Sequence, residues 1–243
     1  MAALSARDLL LVWEQAERRR PAERALVLLG AACPELPDDA RAALSLGQRE
    51  ARLFSLYQET FGPELELATP CPGCGETLEV AIRIEDLDIG GDGDAVPLPI
   101  AEGGLRLLCR APDSADLAAA ACAADVEDAR RLLAARCVLS ATRDGVELNP
   151  ADLSPAEMDV LSRGLAGLDP RAEVLLDLDC PGCGHHWQAL LDAADCLWHE
   201  IDAAARRLLR EVHALARAYG WREADILALS ARRRRRYLEI LAG

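Results

Sequence analysis

Apolar residues in the first quarter of the chain recur at steps of three and four. Leu9 to Trp13 follow Ser5, Ala25 to Leu29 follow Pro21, and Leu46, Leu53, Phe54 and Tyr57 follow Ser45. Ser is a favoured N-cap and Pro suits the first turn, so residues 5 to 60 are predicted as short amphipathic helices. From Leu65 the period changes to two: Leu65 and Leu67 precede Cys71, and Leu78, Val80 and Ile82 alternate with polar residues after Cys74. That is the pattern of a half-buried hairpin with a cysteine pair at its turn. The same pattern returns around Cys180 and Cys183, with Val174, Leu176 and Leu178 before the pair and Trp187, Ala189 and Leu190 after it.

Between the two hairpins the pattern is mostly helical. Residues 88 to 97 mix Gly90, Gly91 and Gly93 with Asp88, Asp92 and Asp94. They lack the later bidentate Glu of a calcium loop and are expected to be a solvated loop. Gly104 to Arg110 predicts a short strand, and Ser114 to Ala141, rich in Ala and Leu, two consecutive helices broken near Asp125. Asp144-Gly145 predicts a turn and 154 to 166 a further helix. Beyond the second hairpin, Ile201, Ala205, Leu208, Val212, Leu215 and Tyr219 mark one seam of a helix of about 25 residues closed by Gly220. The end of the chain holds a short helix around Ile226 and Leu227, then arginines 232 to 236, then Tyr237, Leu238, Ile240 and Leu241. The expected organisation is a helical cap over 1–64, a β core over 65–193 with a helical insertion at about 112–168, and a long helix with a terminal arm over 194–243. The expected fold class is α+β, mostly helical, with a small antiparallel β core.

Composition narrows the function. Of the 243 residues 51% are hydrophobic and only 4% aromatic, which suits a folded chain with a core of Leu, Ala and Val. A formal charge of −14 argues against sequence-independent binding to nucleic acid or an anionic membrane. No apolar run reaches the roughly 18 to 20 residues of a membrane span, and the start lacks the charge order of a secretory signal, so a cytoplasmic protein is expected. His199-Glu200 opens a zinc-protease-like pattern, but Ala203 stands where the second His is required. Phosphate loops with a Lys and nucleophile elbows are missing, and every basic side chain is Arg. No catalytic residue is assigned. The arginine run, expected to be spread around its helix and diluted by Glu223 and Glu239, reads as a solvated or partner-facing surface.

The strongest chemical signal is a repeated pentapeptide, Cys71-Pro-Gly-Cys74-Gly and Cys180-Pro-Gly-Cys183-Gly. Zinc takes four ligands in a tetrahedron. One Cys-x-x-Cys turn aims two sulfurs to one side, and two such turns face to face close the site. Such a site leaves no position for substrate and is structural. Closing the 105 intervening residues costs about 4 kcal/mol, against about 10 to 16 kcal/mol apparent for structural zinc, so one shared zinc held by Cys71, Cys74, Cys180 and Cys183 in a zinc-ribbon-like core is expected. A redox pair needs a helix N-terminus after the strand, whereas strand pattern follows both pairs. His185 and His186 are expected to lie beside the site without ligating. Cys33, Cys109, Cys122, Cys137 and Cys196 sit among Ala, Leu and Val and read as core packing.

Several segments together carry a resemblance. Ser45-Leu-Gly-Gln-Arg-Glu-Ala-Arg-Leu53, Thr60-Phe-Gly-Pro63, both pentapeptides with His185 and Trp187-Gln-Ala, Glu211-Val-His-Ala-Leu215, Tyr219-Gly-Trp-Arg-Glu-Ala-Asp-Ile-Leu-Ala-Leu229 and Arg235-Arg-Tyr-Leu-Glu239 resemble the baseplate hub assembly chaperone family of T-even-type phages, in the form found in phage-like contractile injection clusters. The resemblance implies a non-enzymatic assembly chaperone or accessory protein that binds baseplate, hub or tail proteins and takes no small-molecule substrate. Trp221, Ile226, Leu227, Leu229, Arg235, Tyr237 and Leu238 are the expected partner-binding residues, since a terminal segment with that many apolar anchors must dock on its own chain or on a partner. The alternative is a zinc-ribbon nucleic-acid-binding regulatory protein. Glu64, Glu66, Glu76, Glu79, Asp177 and Asp179 around the turns oppose it.

Overall fold

The computed structural model describes residues 2–87 and 96–242, so most of the Gly- and Asp-rich stretch read as a solvated loop lies outside the described residues. Helices α1 (Ala6–Ala16), α2 (Pro21–Ala32), α3 (Asp38–Ala42) and α4 (Leu46–Phe61) come first. Ser5 caps α1 by accepting from the Asp8 N–H, Pro21 occupies the first turn of α2, and Ser45 and Gln48 form a reciprocal capping box on α4. Strands β1 (Glu64–Pro70) and β2 (Thr77–Arg83) then pair antiparallel.

The middle of the chain folds as β3 (Leu98–Glu102), β4 (Leu105–Cys109), α5 (Ser114–Ala120), α6 (Val126–Cys137), β5 (Val138–Arg143), β6 (Val146–Glu147) and α7 (Pro155–Leu168). Its four strands form one antiparallel sheet in sequence order. This sheet corrects the expectation that the β structure consists of two hairpins. The second of the two expected helices stops at Cys137, and Val138–Arg143 is a strand. A bulge between Leu108 and Cys109 sets Val138 and Ala141, three residues apart, on the same buried face. A spacing of three imitates a helix, which is why the segment reads as one. β3 carries Pro99 and sits at the sheet edge, where a missing N–H donor is tolerated. Asp144 and Gly145, both at positive φ, make the expected turn between β5 and β6.

The second hairpin, β7 (Val174–Asp179) and β8 (His186–Leu191), runs into α8 (Ala193–Tyr219), 27 residues long and about 40 Å at 1.5 Å per residue. Gly220, left-handed at φ 69°, ends it, and α9 (Glu223–Leu227) and α10 (Ala231–Ala242) follow.

Three apolar clusters hold the described residues. The largest joins α1, α2, α4 and the first half of α8 through Leu28, Leu53, Phe54, Leu197 and Ile201, and roots both two-stranded hairpins through Leu65 and Leu191. A second lies between the four-stranded sheet and α6 and α7, around Leu107, Cys109, Ala134 and Leu161. The third packs α9 and α10 on the far end of α8, with Val212, Leu215 and Ile226 buried. Two polar clamps position these parts. Glu50 of α4 pairs with Arg49 and accepts the Ala193 N–H at the start of α8 (2.8 Å), while Asp169 accepts the Gly47 N–H (2.8 Å). Asp116 is fully buried and receives both Arg110 (2.6 Å) and Arg136 (2.6 Å), tying α5 to α6 and to the end of β4. Of the five cysteines expected in the core, Cys33, Cys109 and Cys137 are buried and Cys196 is half-buried; Cys122 is exposed, because the helix it was expected to extend ends one turn earlier in the break before α6.

Candidate metal centre

Both cysteine pairs lie in the turns of two-stranded hairpins, and the turns share one backbone design. The Cys71 N–H donates to the Glu76 carbonyl and the Gly75 N–H to the Cys71 carbonyl, each at 2.8 Å; Cys180 with His185 and Gly184 with Cys180 repeat the pattern at 2.9 and 2.8 Å. Gly75 and Gly184 hold φ of 78° and 71°, the left-handed region where a Cβ would strain the chain. Those glycines turn the chain back so that N–H groups face the sulfurs. The Gly73 N–H lies 3.3 Å from the Cys71 sulfur.

The two turns meet head to head. Cys71 Sγ lies 3.7 Å from Cys183 Sγ, Cys74 Sγ lies 3.7 Å from Cys180 Sγ, and all four sulfurs fall within 4.8 Å of one another. Sulfurs placed tetrahedrally at the usual 2.3 Å from zinc are about 3.75 Å apart, so the cluster has the size of a filled tetrathiolate site. The middle glycines permit this approach. A Cβ on Gly73 would stand 3.1 Å from His185, and one on Gly182 1.9 Å from a Glu76 oxygen. Glu76 and His185 occupy equivalent places five residues after the first cysteine of each turn. Every cross-contact therefore has a mirror: Cys71 with Cys183 and Cys180 with Cys74, Gly73 with His185 and Gly182 with Glu76. The hairpins are related by a pseudo-two-fold axis through the sulfurs. Their strand registers agree with it, since Leu65 opposes Ile82 as Val174 opposes Leu191.

Without a cation four thiols in contact cannot all ionise. Desolvation raises the Cys71 thiol, but the N–H groups of Cys74 and Gly73 and the Cys180 and Cys183 thiols outweigh it and bring it down to about 7. The Glu76 N–H lowers the Cys74 thiol, yet contact with Cys183 and Cys180 pushes it up to about 12. One thiolate forms readily and its charge holds the remaining protons in place. A divalent cation removes that conflict by taking all four as thiolates. The donor set, four sulfurs and no oxygen, suits zinc or iron and no hard cation. Both pairs are followed by strands β2 and β8, so neither lies at a helix N-terminus as a dithiol oxidoreductase requires.

His185 and His186 lie outside the four-sulfur cluster: His185 stacks on Trp187 at 6.0 Å, and His186 stands 3.1 Å from Asp179. The acids expected to oppose nucleic acid are all exposed: Glu64, Glu66, Glu79, Asp177 and Asp179 on the strands and Glu76 in the first cysteine turn.

The C-terminal residues expected to bind a partner are placed mostly against α8. Ile226 is fully buried, and Trp221, Leu227, Tyr237 and Leu238 pack beside it on Val212 and Leu215. Trp221 lies between Tyr219 (4.7 Å) and Tyr237 (4.9 Å). Leu229 is half-buried and Arg235 faces solvent. The arginine run spreads around its helix at steps of about 100°, and one of those faces packs on α8. Arg234 is buried against Glu211 (2.8 Å) and the Leu229 carbonyl, which leaves Arg232, Arg233, Arg235 and Arg236 on the solvent side. Burial of the third arginine was not visible in the sequence, because its partner lies 23 residues earlier on another helix.

Among the described residues no helix is long and apolar enough to cross a membrane. No curated protein and no solved structure matches the chain. One protein-family model, described as T4 bacteriophage base plate protein, matches residues 5–198, from the cap of α1 through the first turns of α8 and including both cysteine turns. That span covers most of the molecule, and the chain belongs to this family of T4-type phage baseplate proteins.

Proposed function

We propose that the protein is a non-enzymatic accessory protein of the baseplate or hub of a contractile particle, acting as an assembly chaperone by binding hub or tail proteins. Family membership over residues 5–198 is the observation that carries this reading. In it the four cysteines hold one structural zinc, which staples two hairpins far apart in sequence into a ribbon-like core, and the α9–α10 segment forms part of the surface offered to a partner. Arg235 and the half-buried Leu229 are the contacts available there, while Trp221, Ile226, Leu227, Tyr237 and Leu238 shape that surface from beneath. A closed four-sulfur site has no position for substrate, which supports a role without turnover.

The test is assembly. Cells producing the particle without this chain should yield fewer complete tails by electron microscopy, and restoring the chain should restore them. Quantitative mass spectrometry of purified particles then separates the two roles. A chaperone should be depleted from finished particles, while one copy per hub position would make the protein a permanent component. Unchanged particle yield without the chain would contradict the proposal.

A further inference from the structure

Charge is divided along this chain. Residues 203–243 hold ten Arg against four Asp or Glu, leaving seventeen Arg and thirty-seven acids in residues 1–202. The basic part begins within α8, a few residues beyond the end of the family match at residue 198. On α10 the buried side is formed by Arg234, Tyr237 and Leu238, and the opposite side carries Arg232, Arg233, Arg235 and Arg236 around a single acid, Glu239, which accepts from Arg236 at 2.8 Å. Ile240, 64% exposed, follows Arg236 by four residues and continues that side.

A surface of complementary character lies on the outer face of the β7–β8 hairpin. Leu175 and Leu190 oppose each other across the strands and are 46% and 64% exposed. Farther toward the turn, Asp177 and Asp179 share that face, where Gln188 donates to Asp177 and His186 stands 3.1 Å from Asp179. The hairpin thus presents an apolar pair beside two acids, and α10 the exposed Ile240 beside four arginines and one glutamate. Their lengths agree: Leu175 to Asp179 spans about 13 Å of strand, and Arg232 to Ile240 about 12 Å of helix.

The two surfaces cannot meet within one molecule. β8 feeds straight into α8, and α10 packs near Glu211 to Tyr219, about 30 Å along that rigid helix. We infer that α10 of one copy docks on the β7–β8 hairpin of a second copy, giving a head-to-tail contact that leaves one complementary surface free at each end. Nucleic acid is the less suitable occupant of α10. The aromatic rings nearby are stacked on one another instead of open to bases, an exposed Ile interrupts the cationic side, and the rest of the chain is strongly acidic.

Analytical ultracentrifugation of the zinc-loaded full chain at low salt tests this. Wild type should show mass rising with concentration, reversed by salt. Arg233→Glu with Arg236→Glu breaks the helix surface, Asp177→Arg with Leu190→Arg breaks the hairpin surface, and each variant alone should sediment as a monomer with unchanged circular dichroism. Mixed at equal concentration, the two variants still own one intact surface each and should form a one-to-one dimer that grows no further. A wild type that stays monomeric over about a hundredfold range of concentration, association that survives both double substitutions, or a mixture that remains monomeric would overturn the inference. So would a wild type that stays monomeric and instead co-sediments with duplex DNA. None of these readouts depends on the particle, so failure here is distinct from failure of the assembly role.

Discussion

In the proposed zinc site, losing a single sulfur from the four-cysteine cluster would leave three thiolates for a cation that takes four. Cys180→Ser should therefore abolish tight metal binding and lower the melting temperature by at least about 10 °C, since even 3 kcal/mol moves a chain of this size by that much. Cys122→Ser, at an exposed position, should change stability by less than about 0.5 kcal/mol. Differential scanning calorimetry of the two variants checks both. The clustering of the four cysteines was legible because the same five letters occur twice with strand pattern on both sides. The exposure of Cys122 was not, because an Ala-rich run does not reveal where its helix stops. Asp116 is the other residue whose role emerged only from the fold. Burial raises its carboxyl, but Arg110, the Asp113 N–H and Arg136 outweigh that and bring it down to about 2. Its folded-state value lies below the usual carboxylate value near 3.9, so the stabilisation is complete above about pH 4 and disappears as pH falls through 2. Asp116→Asn should destabilise the protein by about 2 kcal/mol at pH 7 and flatten the loss of stability below pH 4, measured by urea unfolding across that range.

At the level of elements, the helices were readable where caps and periodicity agreed. Ser5, Ser45 and Gly220 mark real helix ends, and α8 follows its apolar seam from Ile201 to Tyr219. The central sheet was concealed by two local features, the prolines around β3 and the bulge that gives β5 a spacing of three. α10 depends on a contact no local pattern reveals. Arg234 neutralises Glu211 and satisfies the Leu229 carbonyl while buried. Arg234→Ala should cost about 2 to 3 kcal/mol locally, release α10 from α8 and expose Trp221. Faster amide exchange over 231–242 and a red shift of tryptophan emission report it, with the metal retained because the third apolar cluster is separate from the hairpins.

Across the whole molecule, one cluster of four cysteines joins segments 109 residues apart and brings the turns of two hairpins head to head. Each hairpin keeps one alternating face mostly half-buried and carries acids on its outer face. Metal binding is thus expected to be part of folding rather than an addition to it. Native mass spectrometry of freshly purified full-length protein, before and after treatment with a strong chelator, measures this most directly. One zinc per chain in wild type and none in Cys71→Ser or Cys180→Ser, with chelated wild type shifting to the broad charge distribution of an unfolded chain, is the expected result. Two zincs per chain, no metal in soluble wild type, or a compact and fully stable chain after metal removal would contradict a structural metal shared by the two hairpins.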